Sequence, residues 1–340
     1  MITPDVLGDR EALTLPEGAP PLLTVVVDTE EEFDWSAPFS RAATSVESLA
    51  ELDRFQHLCE EQGVSPTYVC DWPVVTSELA QKTLGSYLER GKCHLGAHLH
   101  PWVTPPHDEE VSAHNSYPGN LSPDLEREKL EQLTFTIAER FGLQPRVYRA
   151  GRYGFGPRTA EAIEALGYAV DVSPLAGFNL SADGGPDWST LGPQPYRFGP
   201  SKALIGLPAT GGFSGWLNAG SELHETLHRP LPSALRLQGI LSRLGAFERI
   251  MLSPEGYTLT HMQRLTRALI ARGTQVFQLS LHSPSMLPGC TAYARDPQER
   301  DALLARCADY LRWFREDVGG EMATLLELPQ LLSSSPQAKP

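Results

Sequence analysis

The most informative segment of this chain is Leu22-Leu-Thr-Val-Val-Val-Asp-Thr-Glu30. Its apolar and β-branched part, Leu22 to Val27, predicts a buried β-strand. If the backbone stays extended beyond Val27, the side chains of Asp28 and Glu30 point to the same side. Two neighbouring carboxylates repel each other unless they share a cation or a proton, so the pair suits a metal ligand beside a general base. The alternative is that both belong to a solvated acidic run that ends at Asp34.

On either side of this segment, short apolar strands alternate with helical patterns. Further strands are predicted over residues 67–70, 93–100, 146–149, 169–173, 203–208, 249–252 and 275–281. Helices are predicted over residues 45–62, 77–90, 123–141, 157–166, 259–271 and 297–315. This alternation predicts an α/β fold with a parallel sheet, and seven or eight such units predict a single distorted (β/α) barrel. In a barrel, functional residues lie where the strands end.

Length and composition are those of one large soluble domain. The chain has 340 residues, of which 41% are hydrophobic and 21% are charged, and one barrel commonly takes a chain of this size. We expect an N-terminal arm over residues 1–20, the barrel over residues 21–330, and a disordered tail over residues 331–340.

Charge and cysteine content exclude several classes of function. The formal net charge is −14, whereas binding to nucleic acid or to anionic membranes needs clustered Lys and Arg. No apolar run approaches the roughly 18 residues of a membrane span, and residues 1–21 lack the pattern of a signal peptide.

The five cysteines form no Cys-x-x-Cys pair, so we expect reduced thiols and a cytoplasmic protein. The oligomeric state is left open.

A second polar group follows a later strand, in His94-Leu-Gly-Ala-His98-Leu-His100-Pro-Trp102. The period of two along a strand puts His94, His98 and His100 on one face, and Pro101 favours an extended backbone at His100. An extended His-x-His pair at a strand end can place two imidazoles on one divalent ion. We therefore predict His98 and His100 as ligands, and a packed core position for His94, which lies deeper in the strand.

Other polar residues lie at the ends of the remaining strands. Arg149 can orient a carboxylate and keep it ionised. His282 ends the last strand, and a histidine is the natural general acid near neutral pH. Asp71 and Glu255 are candidates for substrate contacts or for support of the metal. Asp171 is a further candidate for a substrate contact, although it could instead hold a neighbouring side chain or cap a turn.

Aromatic side chains near the strand ends could stack on sugar rings, although ordinary packing explains each of them equally well. They are Trp35, Trp72, Trp102, Tyr153 and Trp216. The remaining histidines are predicted to lie on the surface; they are His57, His107, His114, His224, His228 and His261. Arg152 is also predicted to be a surface residue.

In their order along the chain, these motifs resemble those of the polysaccharide-deacetylase family, the NodB-homology carbohydrate esterases. The resemblance implies that Asp28 is the catalytic base and that Glu30 is a displaced metal carboxylate. The family places two metal-binding histidines four residues apart. His98 fits the first of them, but Trp102 stands at the second, and His100 is then the natural substitute.

A second ligand set stays open, because His94 and His98 are also four residues apart. The resemblance further implies that Arg149 steadies the base and that Asp171 lines the substrate groove. It also implies that His282 is the general acid.

The strings His-Pro-Trp, Arg-Ala-Gly-Arg-Tyr-Gly and His-Ser-Pro-Ser are similar to a WalW-like subgroup, which is assigned to cell-wall or surface-polysaccharide metabolism. The resemblance covers residues 22–330 and implies a hydrolase of non-peptide C–N bonds. Such an enzyme would remove N-acetyl groups from a glycan that contains amino sugars, with a divalent ion, zinc, as cofactor. Two alternatives stay open: a hydrolase of a cyclic amide or ureide, and a degenerate barrel that only binds a glycan.

Overall fold

The computed structural model describes residues 2–214 and 248–334. Its β-strands are β1 (Glu11–Thr14), β2 (Leu22–Thr29), β3 (Thr67–Cys70), β4 (His94–Leu99), β5 (Val147–Ala150), β6 (Val170–Asp171), β7 (Tyr196–Phe198), β8 (Leu204–Gly206), β9 (Gly211–Ser214), β10 (Glu248–Met251), β11 (Val276–His282), β12 (Glu321–Met322) and β13 (Ser333–Ser334). Its α-helices are α1 (Asp53–Glu61), α2 (Trp72–Thr76), α3 (Glu78–Glu89), α4 (Pro123–Phe141), α5 (Thr159–Ala165), α6 (Leu259–Ile270), α7 (Pro297–Glu316) and α8 (Leu328–Leu331).

Most of the strands form one curled sheet that is mainly parallel. Its order is β11-β2-β3-β4-β5-β6-β8-β7-β1-β13, and β12 pairs with β2. Neighbours from β11 to β8 run parallel, whereas β7, β1 and β13 add antiparallel pairs at the far edge. This arrangement confirms the predicted α/β class with a distorted, barrel-like sheet.

A separate antiparallel ribbon, β9 paired with β10, lies against β11. The N–H of Leu252 donates to the carbonyl of Thr210, and the N–H of Ser280 in β11 donates to the carbonyl of Leu252. The strand predicted over residues 249–252 is therefore present one residue earlier, but it is not a member of the parallel sheet.

Alternate residues of β2 pack into two different apolar clusters. Val25 and Val27 pack with a cluster that includes helix residues. Val26 packs instead with Val147 of β5 and Val276 of β11, which belong to the inner face of the curled sheet. Because side chains alternate along a strand, Asp28 continues the inner face two residues beyond Val26.

The predicted helices are present, but one of them is divided into two helices of different type. The helix predicted over residues 45–62 is divided into a 3-10 helix, Glu47–Glu51, and α1. Leu49 and Leu52, both fully buried, are three residues apart, which is the spacing that a 3-10 turn aligns on one side.

Both ends of the described chain lie at the far edge of the sheet. Strand β1, from the predicted arm, pairs with β7 and with β13, which lies in the predicted tail. Residues 335–340 of that tail lie outside the described residues, as do Trp216, His224 and His228. In the described part of the chain, no helix has the length and apolar character needed to cross a membrane.

A buried lysine fixes the loop that follows β4. Nζ of Lys129, in α4, donates to the carbonyl oxygens of Pro101, Thr104 and Pro106 at 2.6 to 3.0 Å. It also pairs with a carboxylate oxygen of Glu109 at 2.9 Å. Burial lowers the pKa of Lys129, and the Glu109 carboxylate opposes that shift. Lys129 therefore ties this loop to α4.

Replacing Lys129 by Met should lower the free energy of unfolding by about 3–5 kcal/mol, because the buried Glu109 carboxylate then loses its cation. Urea unfolding followed by circular dichroism measures the change. The matched control is Lys82→Met, at an exposed position of α3, which should change the free energy by less than about 0.5 kcal/mol. Equal values for the two variants would show that the Lys129 contacts contribute no stability.

Candidate active site

The polar residues at the ends of four strands meet because the strands are parallel and in register. His282 of β11 pairs with Asp28 of β2, and His98 of β4 pairs with Arg149 of β5. The carboxyl ends of these strands therefore lie at one edge of the sheet. Around a cavity of about 310 Å³ at this edge, the structure brings together Asp28, Glu30, His98, His100, Arg149 and His282.

Asp28 and Arg149 form a buried ion pair. Nη1 of Arg149 donates to Oδ1 of Asp28 at 2.5 Å, and the two side chains are 0% and 5% exposed, respectively. Burial alone would raise the pKa of Asp28, but the nearby positive charges, that of Arg149 above all, outweigh it and lower that pKa. Asp28 is therefore ionised and able to accept a proton. Its second oxygen, Oδ2, lies 3.6 Å from Nε2 of His282.

The imidazole of His282 is held by Glu255. Nδ1 of His282 lies 2.6 Å from Oε2 of Glu255, and the N–H of His282 donates to Oε1 at 3.2 Å. Burial alone would lower the pKa of His282, but the charges of Glu255, Glu30 and Asp28 raise it to about 10. His282 is therefore protonated at neutral pH. Glu255 was predicted as a substrate contact; it lines the cavity and also positions this histidine.

Three further donors converge beside this pair. Oε2 of Glu30 lies 3.3 Å from Nε2 of His98 and 3.4 Å from Nε2 of His100, and all three residues are buried. Nδ1 of His98 donates to the carbonyl oxygen of Arg149 at 3.1 Å, so its Nε2 is the nitrogen that can offer a lone pair to a metal ion. Burial lowers the pKa of His100 and favours its neutral form. Two imidazole nitrogens and a carboxylate around one point fit a divalent ion such as zinc.

A buried network lies behind His100. Oε2 of Glu31 lies 2.8 Å from Nδ1 of His100, and Oε1 of Glu31 accepts a hydrogen bond from Nε1 of Trp102 at 2.8 Å. The Trp102 ring stacks on His100 with centroids 4.3 Å apart. Asp71 accepts from the N–H of Glu31 and caps α2 by accepting from the N–H of Val74, both at 2.9 Å. These contacts orient the ring of His100.

The carboxyl groups of the same network resist ionisation. Burial raises the pKa of Glu31 to about 8, and it also raises the pKa of Asp71. Trp102 was predicted as a substrate contact, and Asp71 as a substrate contact or a support of the metal; neither lines the cavity. Glu31 was not predicted at all, because the period of two that pairs Asp28 with Glu30 points Glu31 to the other side.

Two other predicted residues lie away from the cavity. Val170 and Val172 occupy the inner cluster, so alternation turns Asp171 toward the outer face of β6, where it accepts hydrogen bonds from Ser173. Burial raises the pKa of Asp171 to about 7. His94 begins β4 and lies about 13 Å along the strand from His98. The second ligand set therefore does not converge.

The loop after β5 has an unusual backbone. Arg152 and Tyr153 are consecutive non-glycine residues with φ of 54° and 59°, and each such conformation costs about 1–3 kcal/mol. Both residues line the cavity, although Arg152 was predicted to lie on the surface. Gly151 is required before them, because a Cβ atom there would lie 2.4 Å from the carbonyl oxygen of Leu99 and 2.6 Å from Cδ2 of His100.

The cavity continues into a wider one. Trp35 and Tyr293, both exposed, line the first cavity and also an adjoining cavity of about 1020 Å³. Leu180 and Asp183, from the Gly- and Pro-rich region over residues 174–200, form part of the first wall. Of the other predicted rim residues, Trp72 packs against the core.

Comparisons with known proteins support the fold. No family model and no curated protein matches the chain. Among solved structures, it resembles a protein from Mycobacterium smegmatis described as a polysaccharide deacetylase, with 15% identity, a TM-score of 0.54, and coverage of 97% of this chain and 98% of that one.

Other similar structures include an allantoinase, with 14% identity, a TM-score of 0.48, and coverage of 93% of this chain and 91% of that one. A family 4 acetyl xylan esterase from Clostridium thermocellum, in complex with a cobalt ion, has 15% identity, a TM-score of 0.42, and 91% coverage of both chains. The Mycobacterium smegmatis structure shows that this chain has the polysaccharide-deacetylase fold, as the order of its motifs predicted.

Proposed function

We propose that this chain is a metal-dependent hydrolase that removes N-acetyl groups from a glycan containing amino sugars. The observation that carries the proposal is that one cavity holds three kinds of group. These are an ionised carboxylate, Asp28; a protonated histidine, His282; and a donor group that fits a divalent ion. Hydrolysis of an amide needs a base, an acid and stabilisation of the carbonyl oxygen, and these groups can supply all three.

The proposed reaction adds water across the C–N bond of the acetamido group and yields acetate and a free amine. A divalent ion bound by Glu30, His98 and His100 would polarise the acetyl carbonyl and lower the pKa of water. Asp28, whose Oδ1 is held by Arg149, accepts a proton from the attacking water.

His282 supplies the second proton transfer. It donates the proton at Nε2 to the leaving nitrogen, while Glu255 holds the other side of the ring through Nδ1. Because Nε2 of His282 faces Asp28 at 3.6 Å, the acid and the base lie on the same side of the cavity.

Several observations favour a particular substrate, metal and location. The motif strings of the WalW-like subgroup favour a cell-wall or surface polysaccharide, and the adjoining cavity leaves room for neighbouring sugars. Histidine and carboxylate donors favour zinc. All five cysteines are free thiols, which supports a reducing, cytoplasmic location.

The two alternatives fit the site less well. A degenerate barrel that only binds a glycan would not need an ionised Asp28 opposite a protonated His282. A hydrolase of cyclic amides that works without metal would not need two imidazoles whose Nε2 atoms face the Glu30 carboxylate.

Two variants separate the base from the proposed cation site. Asp28→Asn should lower acetate release at least about 100-fold and should retain the bound ion, because Asp28 is not one of the three donors. His98→Ala should lose both ion and activity. Metal content after purification without chelator, together with acetate release from N-acetylchitotetraose, measures the two effects.

His57→Ala, at a surface position that is 75% exposed, is the control and should change neither quantity. If the wild-type protein contains no divalent ion and chelator has no effect on its rate, the metal assignment is wrong and the metal-free alternative is favoured. If Asp28→Asn keeps the wild-type rate, the base assignment is wrong.

The pH profile tests the proposed acid. The wild-type kcat/KM should fall as pH rises through about 10, because His282 loses its proton there. Glu255→Gln removes a negative charge that holds this proton, so the alkaline limb should move down by about one to three pH units. Glu139→Gln, at an exposed position of α4, is the control. An alkaline limb that stays in place in Glu255→Gln would contradict this role of Glu255.

A further inference from the structure

Arg152 is a cation in the cavity wall that the proposed reaction does not use. Its guanidinium lies 4.1 Å from the ring centre of Tyr117, 5.2 Å from that of Phe39 and 5.7 Å from that of Trp35. The side chain is only 15% exposed. Rings on several sides fix the plane of the guanidinium and keep water away from it.

The hydrogen-bonding capacity of Arg152 is only partly used. Nη1 donates to Oγ of Ser116 at 2.6 Å and to the carbonyl of Ala113 at 3.5 Å. Nη2 lies 3.9 Å from Oδ2 of Asp183, which is beyond hydrogen-bond distance, and the Asp183 side chain is 71% exposed. Across the described residues, neither Nη2 nor Nε of Arg152 donates a hydrogen bond. A largely buried guanidinium with unused donors is suited to binding an anion.

The other two positive side chains of the cavity already have close acidic partners. Arg149 pairs with Asp28 at 2.5 Å, and His282 pairs with Glu255 at 2.6 Å. Arg152 has no carboxylate at such a distance among the described residues. The backbone of Arg152 is left-handed, with φ of 54°, and a non-glycine residue in that conformation costs free energy. Its side chain forms part of the cavity wall, and an arginine on the open surface would not need such a backbone.

We propose that Arg152 binds a carboxylate of the substrate, and that the substrate is therefore an acidic glycan. This inference rests on the proposed function, because it names the substrate class of the same cavity. Nε and Nη2 form one edge of the guanidinium, and that edge can donate two parallel hydrogen bonds to a carboxylate. The carboxylate could belong to a neighbouring uronic acid or to an acidic substituent on an amino sugar; both present the same group to Arg152.

Replacing Asp183 should have the opposite effect on acidic glycans to replacing Arg152. Its carboxylate lines the same cavity and, among the described residues, is the acidic group nearest to Nη2 of Arg152, so it competes with a carboxylate of the substrate. Removing the charge of Asp183 should strengthen the binding of an acidic glycan. If Arg152 only held its loops together, removal of that charge would have no such effect.

The test compares three tetrasaccharides. One is N-acetylchitotetraose, which is neutral; the second alternates N-acetylglucosamine with glucuronic acid; the third alternates N-acetylglucosamine with N-acetylmuramic acid. The full chain supplied with zinc is assayed for kcat/KM of acetate release, and Kd is measured by calorimetry. Arg152→Gln should lower the acidic-to-neutral ratio of kcat/KM about tenfold or more, and Asp183→Asn should raise it at least about twofold.

Arg158→Gln, which removes an arginine that is 59% exposed, is the matched control and should leave the ratio unchanged. The acidic tetrasaccharide whose ratio changes identifies the source of the carboxylate. A ratio that stays constant in both variants, or an equal loss on all three substrates in Arg152→Gln, overturns the inference while leaving the deacetylase proposal standing. If Arg152→Gln does not fold, Asp183→Asn decides alone.

The calorimetric measurement separates the two proposals, because binding needs no turnover. If the wild-type protein deacetylates none of the three compounds, the proposed function fails. The inference about Arg152 then stands only if the wild-type protein binds an acidic tetrasaccharide more tightly than the neutral one and Arg152→Gln removes the difference. Equal or absent binding of all three overturns it.

Discussion

The ion pair between Asp28 and Arg149 organises the site. Both side chains are withdrawn from water, and a single buried charge without its partner costs several kcal/mol, so each residue requires the other. The two residues also contact the neighbouring histidines, His98 and His282. The carbonyl of Arg149 accepts a hydrogen bond from His98, and the second oxygen of Asp28 faces His282. The ion pair therefore keeps the proposed base ionised, and the two residues that form it also contact the proposed ligand group and the proposed acid.

Around this pair, buried carboxylates outnumber their cationic partners. The acidic residues are Asp28, Glu30, Glu31, Asp71 and Glu255, whereas the basic partners are Arg149 and His282. Such an excess can be compensated by protons or by a metal cation. The raised pKa values of Glu31 and Asp71 represent the first kind of compensation. A divalent ion at the converging donors would be the second, so the charge balance and the donor geometry favour the same conclusion.

The part of the site that the sequence predicts is the part set by local rules. The period of two and the parallel register place Asp28, His98, Arg149 and His282 at one edge, and both rules can be applied to the sequence alone. The remainder depends on packing between distant segments. Nothing in the sequence near Asp171 shows that the two valines beside it take the inner face of β6. The left-handed backbone that directs Arg152 into the cavity wall is likewise a property of the folded loop, because arginine has no preference for it.

Trp102 lies beside the proposed ligand His100, at a position where the resemblance implies another histidine. The family pattern expects a histidine four residues after His98, and the tryptophan at that position suggests a lost ligand. In the structure, His100 already points its Nε2 at the Glu30 carboxylate. Trp102 instead stacks on His100 and donates to Glu31, which contacts the other nitrogen of the same ring. At the position where the resemblance implies a histidine, Trp102 therefore helps to orient the ring of His100, the ligand that we propose in its place.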